Sequence, residues 1–105
     1  MLIPCGIQAD SKEEIRHLIQ YIGNSDCIFI RNGKDHDAVE AMKHLQRKYD
    51  YLKQRISATE DFISTIASRS SMTGEPYRVR CSGREILSAE WFTLELIRYR
   101  QGQEK

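Results

Sequence analysis

The sequence lacks any long apolar run, and this absence limits where the protein can reside. No stretch of its 105 residues approaches the roughly 20 apolar residues that a membrane helix needs, so we expect no membrane insertion. The opening nine residues are too short for a signal peptide and have no basic start. If the protein is exported, its leader is already absent from this sequence. With no repeats or low-complexity tracts, the length predicts a single domain over 1–105, with an irregular arm at 1–9 and a frayed tail at 101–105.

An excess of either charge is also absent. The 16 basic and 15 acidic residues nearly cancel, leaving a formal net charge of +1. A broad nucleic-acid surface needs a basic excess to displace counterions, so this balance argues against one without excluding a local basic patch.

Metal-binding motifs are missing as well. No two of the three cysteines lie two to four residues apart, and the histidines at 17, 36 and 44 form no i,i+4 pair. We therefore expect neither a metal site nor a cofactor. The odd cysteine count permits one disulfide plus a free thiol, or three buried thiols. The cysteines are Cys5, Cys27 and Cys81.

Four segments carry helix signatures. Ser11 and Glu14 form a capping box, and Asp37 is typical of an N-cap before a long apolar stripe of three- and four-residue steps. The last segment has a broad apolar face that we expect to pack against the long helix. The predicted helices span 11–23, 37–56, 58–69 and 88–100.

Two short segments are typical of strands. "CIFIR" at 27–31 is β-branched and aromatic and ends in the turn dipeptide Asn32-Gly33, and "PYRVRC" supplies a strand at 77–81. The segment 84–87 is a candidate third strand. Antiparallel pairing of the first two places Cys27 near Cys81. The predicted class is α+β, with four helices and a small antiparallel sheet of two or three strands.

The loop in "ASRSSMTGEPYRVRC" is the first candidate site. Arg69, Ser70 and Ser71 offer a guanidinium and hydroxyls that suit a phosphate or carboxylate. The loop follows a helix C-terminus, however, where the helix dipole repels anions. We therefore favour the structural interpretation, in which Arg69 serves the last carbonyls of its own helix and the serines satisfy loop amides.

The segment "RNGKDHD" is the second candidate site. It lies before a helix N-terminus, where backbone amides favour negative charge. Arg31, Asn32, Lys34 and His36 add donors. The competing interpretation is a strand-to-helix turn whose cap Asp37 already fills. If the two strands pair, this turn and the serine loop fall on the same side of the sheet and can share a pocket.

Two other functional classes remain open. Ser70 or Ser71 with a histidine base would make a minor hydrolase, although no nucleophile-elbow pattern is present and we assign no catalytic residue. Arg78 and Arg80, with Tyr77 as a stacking ring, would bind single-stranded nucleic acid. Outward arginines on a strand more often discourage edge pairing.

Four stretches resemble a bacterial family, domain of unknown function 5329. They are "CIFIRNG", "HDAVEAMKHLQRKYDYLKQRI", "TEDFISTIASRSSMTGEPYRVRC" and "SAEWFTLELIRYR", and the resemblance covers 24–100. The family supplies no reaction or catalytic residue. It implies an envelope protein made with a leader and a disulfide between Cys27 and Cys81. Because no leader is present here, the chain is either a processed periplasmic form or a cytoplasmic relative.

These observations favour a small, non-enzymatic accessory or binding domain of the bacterial envelope. We expect it to act through a protein partner or a small anion. The hydrolase and the nucleic-acid binder are the alternatives.

Overall fold

A computed structural model describes residues 11–103 of the chain, and within them the predicted α+β class is confirmed. Four helices pack on one antiparallel sheet of four strands. The helices are α1 (Ser11–Gly23), α2 (Ala38–Leu52), α3 (Thr59–Asp61, continued by the π-helix Phe62–Ala67) and α4 (Ser88–Gln103). The strands are β1 (Ile28–Arg31), β2 (Lys34–His36), β3 (Arg78–Cys81) and β4 (Arg84–Leu87). The predicted arm at 1–9 and the last two tail residues lie outside the described residues.

The sheet consists of two hairpins joined side by side. Asn32 and Gly33 link β1 to β2 with φ angles of 52° and 77°, and Ser82 and Gly83 link β3 to β4 with 51° and 79°. Two consecutive positive φ values match the right-handed twist of the flanking strands, and glycine adopts them without a Cβ clash. Each turn therefore fixes the register of its own hairpin.

The central strand pair joins the two hairpins in the order β2-β1-β3-β4. Phe29 of β1 lies opposite Val79 of β3, which confirms the predicted pairing of distant segments. The candidate third strand at 84–87 is β4. The strand β2 was not predicted, because its sequence KDH has no apolar alternation and the segment was interpreted as a turn into α2. It is an edge strand that pairs along β1.

The core lies between one face of the sheet and the helices. Phe29 and Val79 are at most 1% exposed, and Tyr77 beside them is 2% exposed. Each helix contributes residues to the same core, among them Leu18 from α1, Leu45 from α2, and further buried residues from α3 and α4. Tyr77 and Val79 thus face the core, whereas Arg78 between them is exposed.

The packing of α4 differs from the sequence-based expectation. It contacts α1, α3 and strands β3 and β4 rather than lying mainly on the long helix α2. Ion pairs accompany this packing: Arg100 of α4 binds the buried Glu14 of α1 through Nε at 2.8 Å and Nη2 at 3.0 Å. Glu95 of α4 likewise contacts His17 of α1. The broad apolar face of α4 is thus divided between two helices and the sheet.

A disulfide joins Cys27 to Cys81, as the family resemblance implied, with 4.7 Å between the Cα atoms. It links the residue before β1 to the last residue of β3, and 54 positions separate the two cysteines. The bond therefore ties together the two hairpins at the centre of the sheet.

Candidate functional site

The β1–β2 turn and the serine loop contact each other. The Thr73 hydroxyl donates to Oδ1 of Asn32 at 2.8 Å, although 41 positions separate them. The two candidate sites predicted from separate stretches of sequence therefore lie next to each other at one end of the sheet.

Ser70 organises the serine loop internally. Its Oγ accepts hydrogen bonds from the backbone amides of Met72 and Thr73 at 3.2 Å each, and only 6% of the residue is exposed. Its own amide donates to the Glu75 carbonyl at 3.0 Å, and the Gly74 amide donates back to the Ser70 carbonyl at 2.9 Å. Ser70 thus satisfies loop amides, which is the structural role that the sequence favoured.

Lys48 of α2 holds the end of α3. Its ammonium donates to the carbonyls of Ile66 at 3.1 Å and Arg69 at 2.7 Å, and to the Tyr77 hydroxyl at 3.2 Å. A cation at a helix C-terminus is electrostatically favourable. The sequence had assigned this role to the Arg69 side chain, but Lys48 fills it from another helix.

Tyr77 connects Lys48 to His44. The Tyr77 hydroxyl lies 3.1 Å from Nε2 of His44. Since an ammonium can only donate, the hydroxyl oxygen accepts from Lys48, and its proton is available for a neutral His44 imidazole. Lys48 also lies 5.0 Å from the centre of the Tyr77 ring, which is within cation–π range.

Arg31 completes a group of polar residues that we call the basic cluster: Arg31, His44, Lys48 and Tyr77. Nε of Arg31 is buried and has no hydrogen-bond partner among the described residues. None of the ion pairs within residues 11–103 joins Arg31 or Lys48 to a carboxylate. The cluster thus concentrates positive charge without an acidic counterpart of its own.

The pKa values of the cluster show the cost of this arrangement. Burial, followed by the charges of Arg31 and Lys48, lowers the pKa of His44 from 6.5 to about 4. Burial and the charge of Arg31 lower the pKa of Lys48 from 10.5 to about 8. Burial raises the pKa of Tyr77. At neutral pH His44 is therefore neutral, while Arg31 and Lys48 carry the charge.

The other predicted site residues lie on β2 and on the serine loop. Lys34 is exposed on β2, in register with Arg31. Nδ1 of His36 lies 3.2 Å from the Glu40 carboxylate. The side chains of Arg69 and Ser71 are exposed on the serine loop.

The helix N-terminus beside this turn is already capped. Asp37 accepts a hydrogen bond from the Glu40 amide at 2.8 Å, as the sequence predicted. An anion near "RNGKDHD" would therefore meet the Asp37 side chain at this cap.

Sequence reasoning did not identify His44, Lys48 and Tyr77 as a group. A signal was present: His44 and Lys48 are four residues apart and border the apolar stripe of α2, next to Leu45. Two basic residues one turn apart at the edge of a buried face indicate partly buried positive charge.

The hydrolase alternative gains no support from the described residues. His17, His36 and His44 bind Glu95, Glu40 and Tyr77 respectively. No hydrogen bond within residues 11–103 joins Ser70 or Ser71 to a histidine. The serine-histidine mechanism stays an untested prediction.

The nucleic-acid alternative meets a geometric obstacle. Tyr77 is 2% exposed, so its ring is not accessible to a base. Arg80 donates to Asp35 at 2.7 Å and lies 3.9 Å from Glu85, while Arg78 lies 3.8 Å from Glu85. The two arginines therefore belong to an ion-pair network on the outer face of the sheet.

Two further properties hold for the part of the chain that the structure describes. No group of three histidine, cysteine, aspartate or glutamate side chains there is arranged to hold a metal ion. None of the helices described is long and apolar enough to cross a membrane.

Comparison with known proteins places the chain among relatives whose function is not known. The model of the Family of unknown function (DUF5329) matches residues 9–100. The chain belongs to this family. A relative of this DUF5329 chain is the uncharacterized protein YfeK of Salmonella typhimurium strain LT2, which is 36% identical over 80 residues, covering 73% of this chain and 67% of the relative. No solved structure matches this chain.

Proposed function

We propose that this DUF5329 chain is a non-enzymatic binding domain of the bacterial envelope that holds a small anionic group at the basic cluster. The observation that carries the proposal is the gathering of Arg31, His44 and Lys48 with no carboxylate paired to Arg31 or Lys48 among the described residues. A bound oxyanion would supply the missing negative charge.

The electrostatics of the cluster support this proposal. Partly buried like charges repel each other and lose hydration, and this appears as the lowered pKa values of His44 and Lys48. An anion placed beside the Arg31 guanidinium would offset both effects. A bound anion would therefore reduce the electrostatic repulsion within the cluster.

The ligand class follows from the donors. A guanidinium presents a planar fork that matches a carboxylate or a phosphate, and the ammonium of Lys48 adds a point charge. The exposed Ser71 and the amide nitrogen of Asn32 offer neutral donors at the rim, since Oδ1 of Asn32 is already used by Thr73. The shared chemistry is an oxyanion with one or two charges.

The cysteine pair supports the proposed location. Disulfides persist in oxidising compartments such as the periplasm and are rare in the cytosol. The bond between Cys27 and Cys81 is therefore weakly in favour of a periplasmic domain over the cytoplasmic alternative. The thiol state of the protein taken from its native cell decides between the two.

The experiment follows His44 during anion binding. The imidazole resonances of the full chain are measured against pH by NMR, with and without inorganic phosphate, and with acetate as the carboxylate probe. Because an anion favours the imidazolium, we expect a saturable rise of about one unit in the pKa of His44, equivalent to about 1.4 kcal/mol.

Matched arginine variants test where the anion binds. Arg31→Gln should abolish the rise, whereas Arg84→Gln, which removes an exposed charge from β4, should leave it intact. Both variants are first compared with the parent by urea unfolding, so that a folding defect is recognised. No saturable change in His44, or an equal loss in both variants, would refute anion binding at the cluster.

A further inference from the structure

A groove between α1 and α2 forms a second candidate interaction surface. It consists of two adjoining cavities of about 570 and 360 Å³, which share Arg16, Ile19 and Gln46 in their walls. None of the lining residues belongs to the basic cluster, so the groove is a separate feature of the molecule.

The floor of the groove is apolar. Ile15 and Ile19 from α1 are 2% and 3% exposed, and the half-buried Met42 and Tyr49 from α2 lie across from them. Ile56 also lines the larger cavity. The apolar surface that a partner can contact therefore comes mainly from Met42 and Tyr49.

The two helices approach each other closely at Gly23. A Cβ on residue 23 would overlap the side chain of Met42, which also lines the smaller cavity. Ile15 and Tyr49 line the larger cavity, together with Ser11 and Ser57.

The rim of the groove is basic on both walls. Among the described residues no carboxylate lines either cavity. Of the five rim cations, Arg16 contacts Glu13 at 3.4 Å, and the other four have no ion-pair partner within residues 11–103. The rim cations are Lys12, Arg16, Lys43, Arg47 and Lys53.

The spacing of these cations indicates the shape of the partner. Lys12 and Arg16 are four residues apart on α1, and Lys43 and Arg47 are four residues apart on α2, which is about 6 Å along each helix. From Lys43 to Lys53 the rim extends about 15 Å. One anionic headgroup cannot reach all of these charges, whereas an acidic residue at each turn of a bound helix can.

We propose that the groove binds an amphipathic helix of a protein partner, with apolar residues on the floor and acidic residues along both flanks. This is the helix-in-groove mode of recognition, in which apolar anchors at i, i+3, i+4 and i+7 supply most of the affinity. The positive rim favours partners of negative charge and accelerates their association. Because salt screens this attraction, binding should weaken as the salt concentration rises.

A pair of synthetic peptides tests the charge requirement. One has leucines at i, i+3, i+4 and i+7 and glutamates on both flanks, and the other has lysines in place of the glutamates. Fluorescence anisotropy with the oxidised full chain should show binding of the acidic peptide, weaker at high salt, and at least about tenfold weaker binding of the basic peptide, equivalent to about 1.4 kcal/mol. Equal binding of both peptides would overturn the proposal.

Charge-reversed variants locate the site. Lys43→Glu with Lys53→Glu removes cations from the rim, and Arg55→Glu with Arg84→Glu reverses two exposed charges outside the groove. The rim variant should bind the acidic peptide about tenfold more weakly, which is about 1.4 kcal/mol, and the matched control should change less than about twofold. Equal weakening in the two variants would show non-specific attraction and would overturn the assignment.

Other occupants give distinct results in the same preparation. Flotation with phosphatidylglycerol vesicles without peptide binding would assign the groove to a lipid surface. Self-association that Lys43→Glu with Lys53→Glu abolishes would assign it to a second copy. If the acidic peptide binds only to the variant Ile3→Ser with Ile7→Ser, the groove would be assigned to the chain's own residues 1–10, because these substitutions remove apolar side chains that would compete with the peptide. Each of these outcomes overturns the external helix, and their absence together with acidic-peptide binding supports it.

Discussion

Removing the disulfide between Cys27 and Cys81 is the most quantitative perturbation that the structure offers. The bond closes a loop across 54 positions of sequence. In the chain-entropy account, a loop of this length restricts the unfolded chain by about 4 kcal/mol at 25 °C. Since a domain of this size is stable by about 5–15 kcal/mol in total, loss of the bond should remove a large fraction of its stability.

Urea unfolding measures this loss. The oxidised chain is compared with the same chain in reductant and with Cys27→Ala plus Cys81→Ala. We expect the free energy of unfolding to fall by about 3–4 kcal/mol in both cases, with a larger denaturant dependence because the unfolded chain expands. Cys5→Ala serves as the control, and it should respond to reductant as the parent does.

Two results would refute this reasoning. One is a change below about 1 kcal/mol on reduction, because the long loop would then not restrict the unfolded chain. The other is alkylation of three thiols without reductant, in protein taken from the periplasm, where we expect only Cys5 to be blocked. The second result would also favour a reducing compartment for the native protein.

Three further predictions concern the helices. Arg100→Met leaves the carboxylate of Glu14, a residue that is 5% exposed, without its ion-pair partner, and should lower the free energy of unfolding in urea by about 3 kcal/mol. Adding Glu14→Met should restore much of this stability, and an undiminished loss in the double variant would contradict the assigned role of the ion pair. Because the pKa of His44 is lowered to about 4, the unfolded chain binds more protons, and stability should fall by roughly 1–2 kcal/mol, after solvent screening, as the pH drops from 6.5 to 4. His44→Gln should flatten this dependence of the free energy of unfolding on pH. An unchanged pH profile in this variant would contradict the assignment to His44. Gly23→Ala should lower the thermal midpoint by crowding Met42, with recovery in a Met42→Ala background; a raised midpoint would show that helix propensity outweighs the clash.

Local signals account for most of the fold that the sequence predicted. The N-cap of Asp37 and the Asn32-Gly33 turn appear where the residue types required them. Both depend on the conformational preferences of a few neighbouring residues, which the sequence displays directly. The strand β2 escaped prediction because Lys34–His36 has no local preference for a strand and pairs only because β1 lies beside it.

The candidate site likewise contains residues that the sequence identified and residues that only the structure identified. Arg31 and Asn32 were predicted from the chemistry of their turn. Lys48, by contrast, has three acceptors from distant parts of the chain, and its role at the end of α3 depends on how two helices pack. Glu14 is similar, because the sequence assigned it to a local capping box and the structure pairs it with Arg100, which is 86 positions away.

By itself the sequence determined the helices, the turn at Asn32-Gly33 and the identity of the strands that meet at the centre of the sheet. These features arise from backbone preferences and apolar periodicity over short distances, which neighbouring residues encode. The tertiary structure alone decided that Arg31, His44 and Lys48 are partly buried near one another, and where the basic groove lies between α1 and α2. Burial and electrostatic repulsion depend on distances in space, and no local pattern specifies the distance between residues on separate elements.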